Sequence, residues 1–474
     1  MVNIDGCDRD ALIKAIRAES ADAPDIEISD DPTPKVYKDI FPFDAPPKAT
    51  WDGITVPMEM PENLWVTDTT FRDGQQAREP YTVDQIVKLY KYLNSIGGPK
   101  GKVLMTECFL YTHRDKEAVK QCRALGLQYP GITGWIRASK DDLQLAKEAK
   151  VEEVGMLASI SDYHIFYKFK GLSRSQVISK YLDVIEEGLK QGISMRAHIE
   201  DATRADILGV VVPFAKRLMA LSEKYRLPVK IRVPDTLGLG LPWPQASLPR
   251  SIPKIMFVLR HIAGVPSEWL EFHGHNDFHM GIANATSAWM YGASLNSTTL
   301  LGIGERAGNV PLEAMVFQYA GLKGTLDGMD TLAITSVARF YKAQLGYSIP
   351  PFYPLVGRNF NITRAGIHAD GVLKNIEMYL PFDTERLLGV PPGVSITPYS
   401  GNAGVAFWIN YYFALKNGEK IDKDHPGVMK IYNEILKIFE SGKALSISDK
   451  QMLSLVMKLM PDFYEANKSR INSL

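Results

Sequence analysis

The feature that most constrains this chain is an alternation of strand-like and helix-like segments between residues 62 and 330. Apolar runs of strand length appear at NLWVTDTTF, KVLMTECFL, GITGWIRAS, EEVGMLAS, ISMRAHIED, PVKIRVPDT, WLEFHGHND and SLNSTTLLG. Amphipathic segments such as TVDQIVKLYKYLNSI separate most of them. Such alternation is typical of parallel βαβ units, and eight units predict an α/β fold of the (β/α)8 TIM barrel type. A doubly wound open sheet is the alternative, although no GxGxxG turn opens the first unit.

The segments outside residues 62–330 differ in composition. Residues 1–61 are expected to form a short amphipathic helix and a proline- and acid-rich extended arm that lies on the barrel or on a neighbouring subunit. Residues 331–404 begin with one helix and continue as an irregular linker or subdomain, rich in glycine and proline. Residues 405–474 are amphipathic and predict a C-terminal, mainly helical domain.

Charge and cysteine content exclude several classes of function. Lys+Arg and Asp+Glu number 54 each, so no overall basic field is available for nucleic acid or for an anionic membrane. No run of about 18 apolar residues could span a bilayer. The three cysteines show neither metal-site nor disulfide-framework spacing, which favours a cytoplasmic location.

Polar residues follow the predicted strands where a TIM barrel places its active site, at the carboxyl ends. The first strand leads into DTTFRDGQQ, and the fifth leads into HIEDATRAD. Buried charged groups are costly unless they are paired or bound to a ligand. The strand-end candidates are therefore Arg72, Asp73, Glu107, His198, Glu200, Asp201, Arg204, Asp235, Thr236, His273, His275, Glu305, Arg306 and Asn309.

The segment EFHGHNDFHMG places His273 and His275 at alternate positions of the seventh strand. Residues i and i+2 of a strand share a face, so both imidazoles can reach one ion. Asp73 lies near them once the barrel closes, and the set leaves positions open for a substrate. The alternative is a pair of hydrogen-bonded core histidines, because a bare HxH motif is weak. His279 is expected to lie in the following loop, outside the set.

Several motifs, in order, resemble the acyl-CoA Claisen enzymes known as DRE-TIM metallolyases. They are TDTTFRDGQQ, IEDATRAD, FHGHNDFHMGIANATSAW, GIGERAGNVPLEAMV and VGRNFNITRAGIHADGVLK. The family includes isopropylmalate, homocitrate and citramalate synthases and hydroxymethylglutaryl-CoA lyases. The resemblance, over about residues 64–405, implies a metal-dependent acyltransferase. The segments DTTFRDGQQAREPYT, YLNSIGGPKG, SDYHIFYKFK, WIRASK and LPRSIPKI resemble a branch that condenses acetyl-CoA with oxaloacetate to citrate.

The resemblance also implies roles for matching residues. Asp73, His273 and His275 match ligands of a divalent metal, with Mn²⁺ or Co²⁺ expected and Zn²⁺ or Mg²⁺ possible, and Asn309 matches a residue on or near it. Arg72 matches the arginine that polarises the keto oxygen. The implied substrate contacts are Gln76 and Glu107 in the pocket, Thr236 at the C1 carboxylate, and Arg204 and Arg137 at the distal carboxylate.

The identity of the base that deprotonates acetyl-CoA is not decided by the sequence. His368 and Glu200 are the two candidates, with Tyr379 assisting. The family match implies that residues 331–404 bring His368 into the active site of a neighbouring subunit, and therefore a homodimer with shared sites. The segment YSGNAGVAF departs from the family's SGRH-like pattern, so no CoA contacts are assigned.

Other functions remain as alternatives. The same site could act on another 2-keto acid, or run in reverse as an acyl-CoA lyase. A metal-dependent hydrolase barrel carries its HxH pair on the first strand rather than the seventh, and a biotin-dependent carboxyltransferase would need a biotin carrier. A non-catalytic scaffold would not require charged residues at so many strand ends. For Arg137, an ordinary ion pair is as plausible as substrate contact.

Overall fold

The computed structural model describes residues 9–18, 27–416, 418–442 and 446–471. Eight parallel strands close into a barrel in chain order. Their bounds are β1 Trp65–Asp68, β2 Val103–Phe109, β3 Gly131–Ile136, β4 Glu153–Ser159, β5 Ser194–Glu200, β6 Val229–Asp235, β7 Leu270–Gly274 and β8 Leu295–Thr298. Because β8 pairs with β1 from Trp65↔Leu295 to Asp68↔Thr298, no sheet edge remains between them. The predicted TIM barrel is confirmed, and the doubly wound alternative is wrong.

Helix α1, Arg9–Ala18, precedes the first strand. The helices that follow the strands and cover the barrel are α2 Val83–Gly97, α3 His113–Ala124, α4 Leu143–Ala149, α5 Asp162–Lys168, α6 Arg174–Lys190, α7 Val212–Tyr225, α8 Ile252–His261, α9 Gly281–Met290 and α10 Leu312–Lys323, and α11 Leu332–Leu345 comes next in the chain. In α2, Ile86, Leu89, Leu93 and Ile96 recur at helical spacing and are buried. Thr82 starts this helix, because its hydroxyl accepts from the backbone of Gln85 in a capping box.

Residues 27–61 form no helix or strand and lie along the barrel as an extended arm. The arm is held by polar contacts along its length and by Ile40 and Phe41, which pack with Leu239. Ser29 N donates to Gly209 O at 2.9 Å, and Ser247 N donates to Thr50 O at 2.8 Å. Lys254, 1% exposed, forms an ion pair with Asp52 of the arm. The expected arm is therefore present, while residues 1–8 and 19–26 of the N-terminal prediction lie outside the described residues.

The chain divides into two compact units, Met1–Ala333 and Ile334–Leu474. The second contains α12 Gly366–Lys374, α13 Thr384–Leu388, α14 Gly401–Tyr412, α15 Pro426–Glu440, α16 Asp449–Leu459 and α17 Pro461–Asn467. A short parallel pair, β9 Ile362–Thr363 and β10 Gly393–Val394, accompanies them. Val405, Ile409, Ile431 and Val456 are at the centre of its apolar core. The predicted helical C-terminal region is confirmed.

Across the portion of the chain that the structure describes, no helix combines the length and apolar character needed to cross a membrane.

Candidate active site

Arg72 and Asp73 lie on a turn rather than at the strand end itself. β1 stops at Asp68, and Thr70–Gly74 form a single π-helical turn. The buried Asp68 carboxylate accepts hydrogen bonds from Thr70 Oγ1 at 2.5 Å and from Thr106 Oγ1 at 2.6 Å. These bonds tie the start of the turn to the barrel and fix the point from which Arg72 and Asp73 project.

Asp73, His273 and His275 converge at the carboxyl end of the barrel. One potential ligand atom from each lies within 4.8 Å of the others, and all three residues are buried. His273 Nε2 lies 3.0 Å from Asp73 Oδ2. Within the described residues this is the single group of three or more such side chains that could hold a metal ion. The exposed His279 lies outside the group, as expected.

Each histidine uses its Nδ1 atom for a contact with the protein. His273 Nδ1 lies 2.9 Å from Ser297 Oγ, and His275 Nδ1 lies 3.3 Å from the backbone oxygen of Asp235. With Nδ1 held in this way, Nε2 is the atom of each ring that remains to bind an ion, as is usual for histidines that bind metal. Nε2 of His273 also lies 3.4 Å from Asn309 Nδ2. Burial lowers the pKa of His275 to about 3 and the pKa of His273 well below its ordinary value, so both rings are neutral and able to bind a cation.

Asn309 adjoins the group through its amide nitrogen. Its Nδ2 donates to Asp73 Oδ2 at 3.1 Å and lies 3.4 Å from His273 Nε2, whereas its buried Oδ1 has no hydrogen-bond partner among the described residues. A Cβ atom on Gly304 would lie 1.7 Å from this Oδ1, so only glycine leaves room for the amide. Two imidazoles and a carboxylate, beside an amide whose unpaired oxygen can exchange places with its nitrogen, suit a divalent transition metal.

Arg72 lies between this group and the barrel interior. It forms an ion pair with Asp73, and its Nε lies 3.2 Å from Glu107 Oε1. Its guanidinium stands 5.5 Å from the centre of the Trp135 ring, and its Nη1 lies 3.5 Å from Oε1 of the exposed Gln76. A side chain that is 11% exposed can still offer its outer face to a substrate oxygen.

Glu107 belongs to a charged network inside the barrel, most of it buried, of which only part could be identified from the sequence. Its members beyond Glu107 and His198 are Glu153, Arg196, Lys230, Arg232 and Glu271. Burial raises the pKa of Glu107, but Arg232 and His198 outweigh this effect and hold it well below the ordinary value. A signal was present, since charged residues occupy alternate positions of β5 (196, 198, 200), β6 (230, 232) and β7 (271, 273).

Glu200 and Thr236 lie near each other at the ends of β5 and β6. Glu200 accepts a hydrogen bond from Ser159, lies 3.6 Å from His164 Nδ1 and is partly exposed. Thr236 Oγ1 accepts from the backbone N–H of Asp201 at 2.8 Å. Both are accessible to the carboxyl end of the barrel, and their assigned roles stay predictions.

The two arginines expected at the distal carboxylate are both paired within the protein. Arg204 Nε lies 3.0 Å from Asp201 Oδ1, and its guanidinium stands 4.0 Å from the centre of the Tyr163 ring. Arg137 binds Asp142 through Nε at 2.9 Å and Nη2 at 2.8 Å, with 68% of its side chain exposed. Arg137 thus has the ion pair considered for it, and substrate contact by either arginine stays a prediction.

His368 and Tyr379 lie in the second unit and pack against each other. Their ring centroids are 4.4 Å apart. A Cβ atom on Gly371 would lie 2.3 Å from the Tyr379 ring, so this glycine permits the ring to lie on α12. His368 is exposed and Tyr379 is 40% exposed, so the pair is available for contact outside its own unit's core.

The fold and the site thus define a TIM-barrel protein with a candidate divalent-metal centre of two histidines and an aspartate. A model of the HMGL-like family matches residues 63–340. The chain belongs to the HMGL-like family, which confirms the predicted relationship to acyl-CoA Claisen enzymes.

Individual relatives agree with this assignment. The chain is 47% identical over 445 residues to a citrate (Re)-synthase of Syntrophus aciditrophicus, covering 94% of this chain and 71% of the relative. It is 46% identical over 437 residues to the citrate (Re)-synthase of Clostridium kluyveri, and the match covers 92% of this chain and 96% of the relative. Among solved structures, a hydroxymethylglutaryl-CoA lyase from Pseudomonas aeruginosa has the same fold, with a TM-score of 0.50, 19% identity, and coverage of 61% of this chain and 95% of that chain.

Proposed function

We propose that this protein condenses acetyl-CoA with oxaloacetate and hydrolyses the resulting thioester, giving citrate and CoA with the (Re) stereochemistry. One observation carries the proposal. The cluster of Asp73, His273 and His275 stands beside Arg72 in a chain nearly half identical to two citrate (Re)-synthases over more than nine-tenths of its length.

Asp73, His273 and His275 would hold the divalent metal, and Asn309 would be a fourth ligand after its amide turns to present Oδ1 in place of Nδ2. Mn²⁺ or Co²⁺ suits this mixed nitrogen and oxygen set, and Zn²⁺ or Mg²⁺ is the alternative. When bound, the ion supplies Lewis-acid polarisation of the keto group.

Arg72 donates to the keto oxygen and stabilises the negative charge that develops there during carbon–carbon bond formation. Gln76 and Thr236 orient the keto acid, with Thr236 donating to its C1 carboxylate. Arg204 and Arg137 are the candidates for the distal carboxylate, which requires each to exchange its aspartate partner for substrate.

A base must remove a proton from the acetyl methyl group. Glu200 is partly exposed at the end of β5, and a carboxylate there can accept this proton. His368, assisted by Tyr379, is the second candidate and would come from a neighbouring subunit of a homodimer. The exposed, paired rings of these two residues support a contact made outside their own unit.

A thiol-release assay with purified protein tests the proposal. Each reaction contains acetyl-CoA and Mn²⁺, with or without EDTA, and one keto acid. The keto acids compared are oxaloacetate, pyruvate, 2-oxoglutarate and 2-oxoisovalerate. We expect EDTA-sensitive release of CoA with oxaloacetate preferred, and citrate as the product. Preference for another keto acid, or cleavage of a hydroxyacyl-CoA without condensation, would overturn the substrate assignment.

A further inference from the structure

Arg232 lies in the middle of β6 and is fully buried. Its guanidinium joins two carboxylates from different strands. Nη1 lies 2.8 Å from Oε1 of Glu107 on β2, while Nε and Nη2 lie 2.8 and 3.3 Å from the two oxygens of Glu271 on β7. A planar guanidinium can satisfy both carboxylates at once, which the single ammonium of lysine cannot do in the same geometry.

The contact with Glu107 connects Arg232 to the active site. The same Oε1 atom of Glu107 that accepts from Arg232 also faces Arg72 Nε at 3.2 Å. The other oxygen of Glu107 lies 3.2 Å from His198 Nε2. Glu271, by contrast, has further partners in Thr67 and in Arg196, whose Nη1 is 3.3 Å away.

The surrounding barrel is shaped around this arrangement. A Cβ atom on Gly155 of β4 would lie 2.3 Å from His198 Nε2 and 2.5 Å from Glu107 Oε2. The glycine allows Glu107 and His198 to occupy the space beside β4. Arg196 Nη1 lies farther from Glu107, 3.9 Å from Oε2, than Arg232 and Arg72 lie from Oε1. Because the interior is closely packed and Arg232 and Arg72 share Oε1 of Glu107, a displacement of Arg232 would be transmitted through Glu107 to Arg72.

We infer that Arg232 is a positioning residue, which fixes Glu107 so that Glu107 holds Arg72 in the orientation needed for the keto oxygen. The inference rests on the proposed function of Arg72 in the condensation, but its structural part concerns only the three side chains. The predicted order of action runs from Arg232 through Glu107 to Arg72.

The first test compares Arg232→Lys and Arg232→Met with Lys230→Met. Lys230 is the matched control, because it lies two residues away on β6 and its ion pair, with Glu153 at 2.6 Å, is not with Glu107. We expect Arg232→Lys to lower kcat about 10- to 100-fold with little change in KM for the keto acid, in the range seen for outer partners of catalytic groups. Lys230→Met should leave kcat unchanged, although the Tm of this variant should fall because Glu153 loses an ion-pair partner.

A double-variant cycle separates positioning from a general loss of stability. If Arg232 acts through Arg72, adding Arg232→Lys to Arg72→Lys should lower kcat little further than Arg72→Lys alone. Wild-type kcat in Arg232→Lys, an equal loss of kcat in Lys230→Met, or additive effects on kcat in the double variant would each overturn the inference.

A crystal structure of Arg232→Lys tests the inference without the reaction. We expect the Glu107 carboxylate to turn and the Arg72 guanidinium to lose its contact with it. An unmoved Arg72 would refute the positioning role even if the wild type makes citrate. Conversely, a wild type that makes no citrate would refute the proposed function. The position of Arg72 in the Arg232→Lys crystal structure would still show whether Arg232 positions Arg72.

Discussion

His273 and Asp73 meet across β8, with Nε2 of the histidine 3.0 Å from a carboxylate oxygen of the aspartate. His273 belongs to β7, and Asp73 follows β1. The two strands are neighbours of β8 on either side, so the contact exists only because the barrel closes between its first and last strands. The candidate metal centre therefore depends directly on barrel closure.

Replacing a proposed ligand should remove metal binding and activity together. For Asp73→Asn and His275→Ala we expect a loss of bound Mn²⁺, measured by elemental analysis after dialysis, and a fall in kcat of roughly 1,000-fold. This range reflects several kcal/mol of charge stabilisation that the ion supplies. His279→Ala is the control, because that exposed residue lies outside the cluster. Full activity of His275→Ala in metal-free buffer would contradict the ligand assignment.

Removing the Ser297 hydroxyl should weaken the metal centre without removing a ligand. Ser297 Oγ lies 2.9 Å from His273 Nδ1 and fixes the ring that would bind the ion. We expect Ser297→Ala to lower Mn²⁺ affinity about 10-fold, measured by competition with a chelating dye. Ser294→Ala is the control, because that buried hydroxyl has no hydrogen-bond partner in the described chain. Equal affinity of the two variants would argue against the role of Ser297.

Acid should destabilise the metal-free protein, in part through His198. Burial and the nearby Arg232 lower the pKa of His198 to about 3. In the unfolded chain His198 binds a proton below about pH 6.5, whereas in the folded chain it binds one only below about pH 3. The free energy of unfolding therefore falls as pH decreases through this window. Urea unfolding of wild type should lose free energy between about pH 6 and pH 4. His198→Gln should reduce that slope by about 1.4 kcal/mol per pH unit, and an unchanged slope would contradict the assignment.

The arm should contribute to stability through a buried ion pair. In Asp52→Ala, Lys254, which is 1% exposed in the intact protein, would lose its carboxylate partner. We expect the free energy of unfolding to fall by about 3 kcal/mol, measured with urea. Lys100→Ala removes an ion pair with Asp327 from a side chain that is 63% exposed, and should cost less than about 1 kcal/mol. Similar losses in the two variants would indicate that burial of Lys254 is not decisive.

A methyl group added to Gly155 should disturb the interior network. Because its Cβ would meet His198 and Glu107, we expect Gly155→Ala to lower kcat and to destabilise the fold by about 1–3 kcal/mol. Gly321→Ala is the matched control on α10, where a Cβ meets nothing within 4 Å and alanine favours the helix. A Gly155→Ala variant as active and stable as wild type would show that the network can shift at no cost.

Much of the fold could be predicted from sequence because parallel strands buried on both faces read as apolar runs between amphipathic helices. The His273 and His275 pair could be predicted for the same reason, since alternate strand positions share a face. The ion pairs of Arg204 with Asp201 and of Arg137 with Asp142 could not be predicted in this way. The paired residues are close in sequence, but whether they meet depends on how each loop turns. The roles of Arg232 and Glu271 were missed, since a charged residue in a strand is equally typical of a solvated face.

The charged interior of the barrel has a consequence for how this protein can change over evolution. The buried carboxylates of Glu107 and Glu271 are balanced by the buried guanidinium groups of Arg232 and Arg196, so losing any one of the four leaves an uncompensated charge. Substitutions there should be accepted only in complementary sets. Among relatives, we therefore expect the residues at positions 107, 196, 232 and 271 to covary, so that an apolar residue at 232 is accompanied by a neutral residue at 107 or 271.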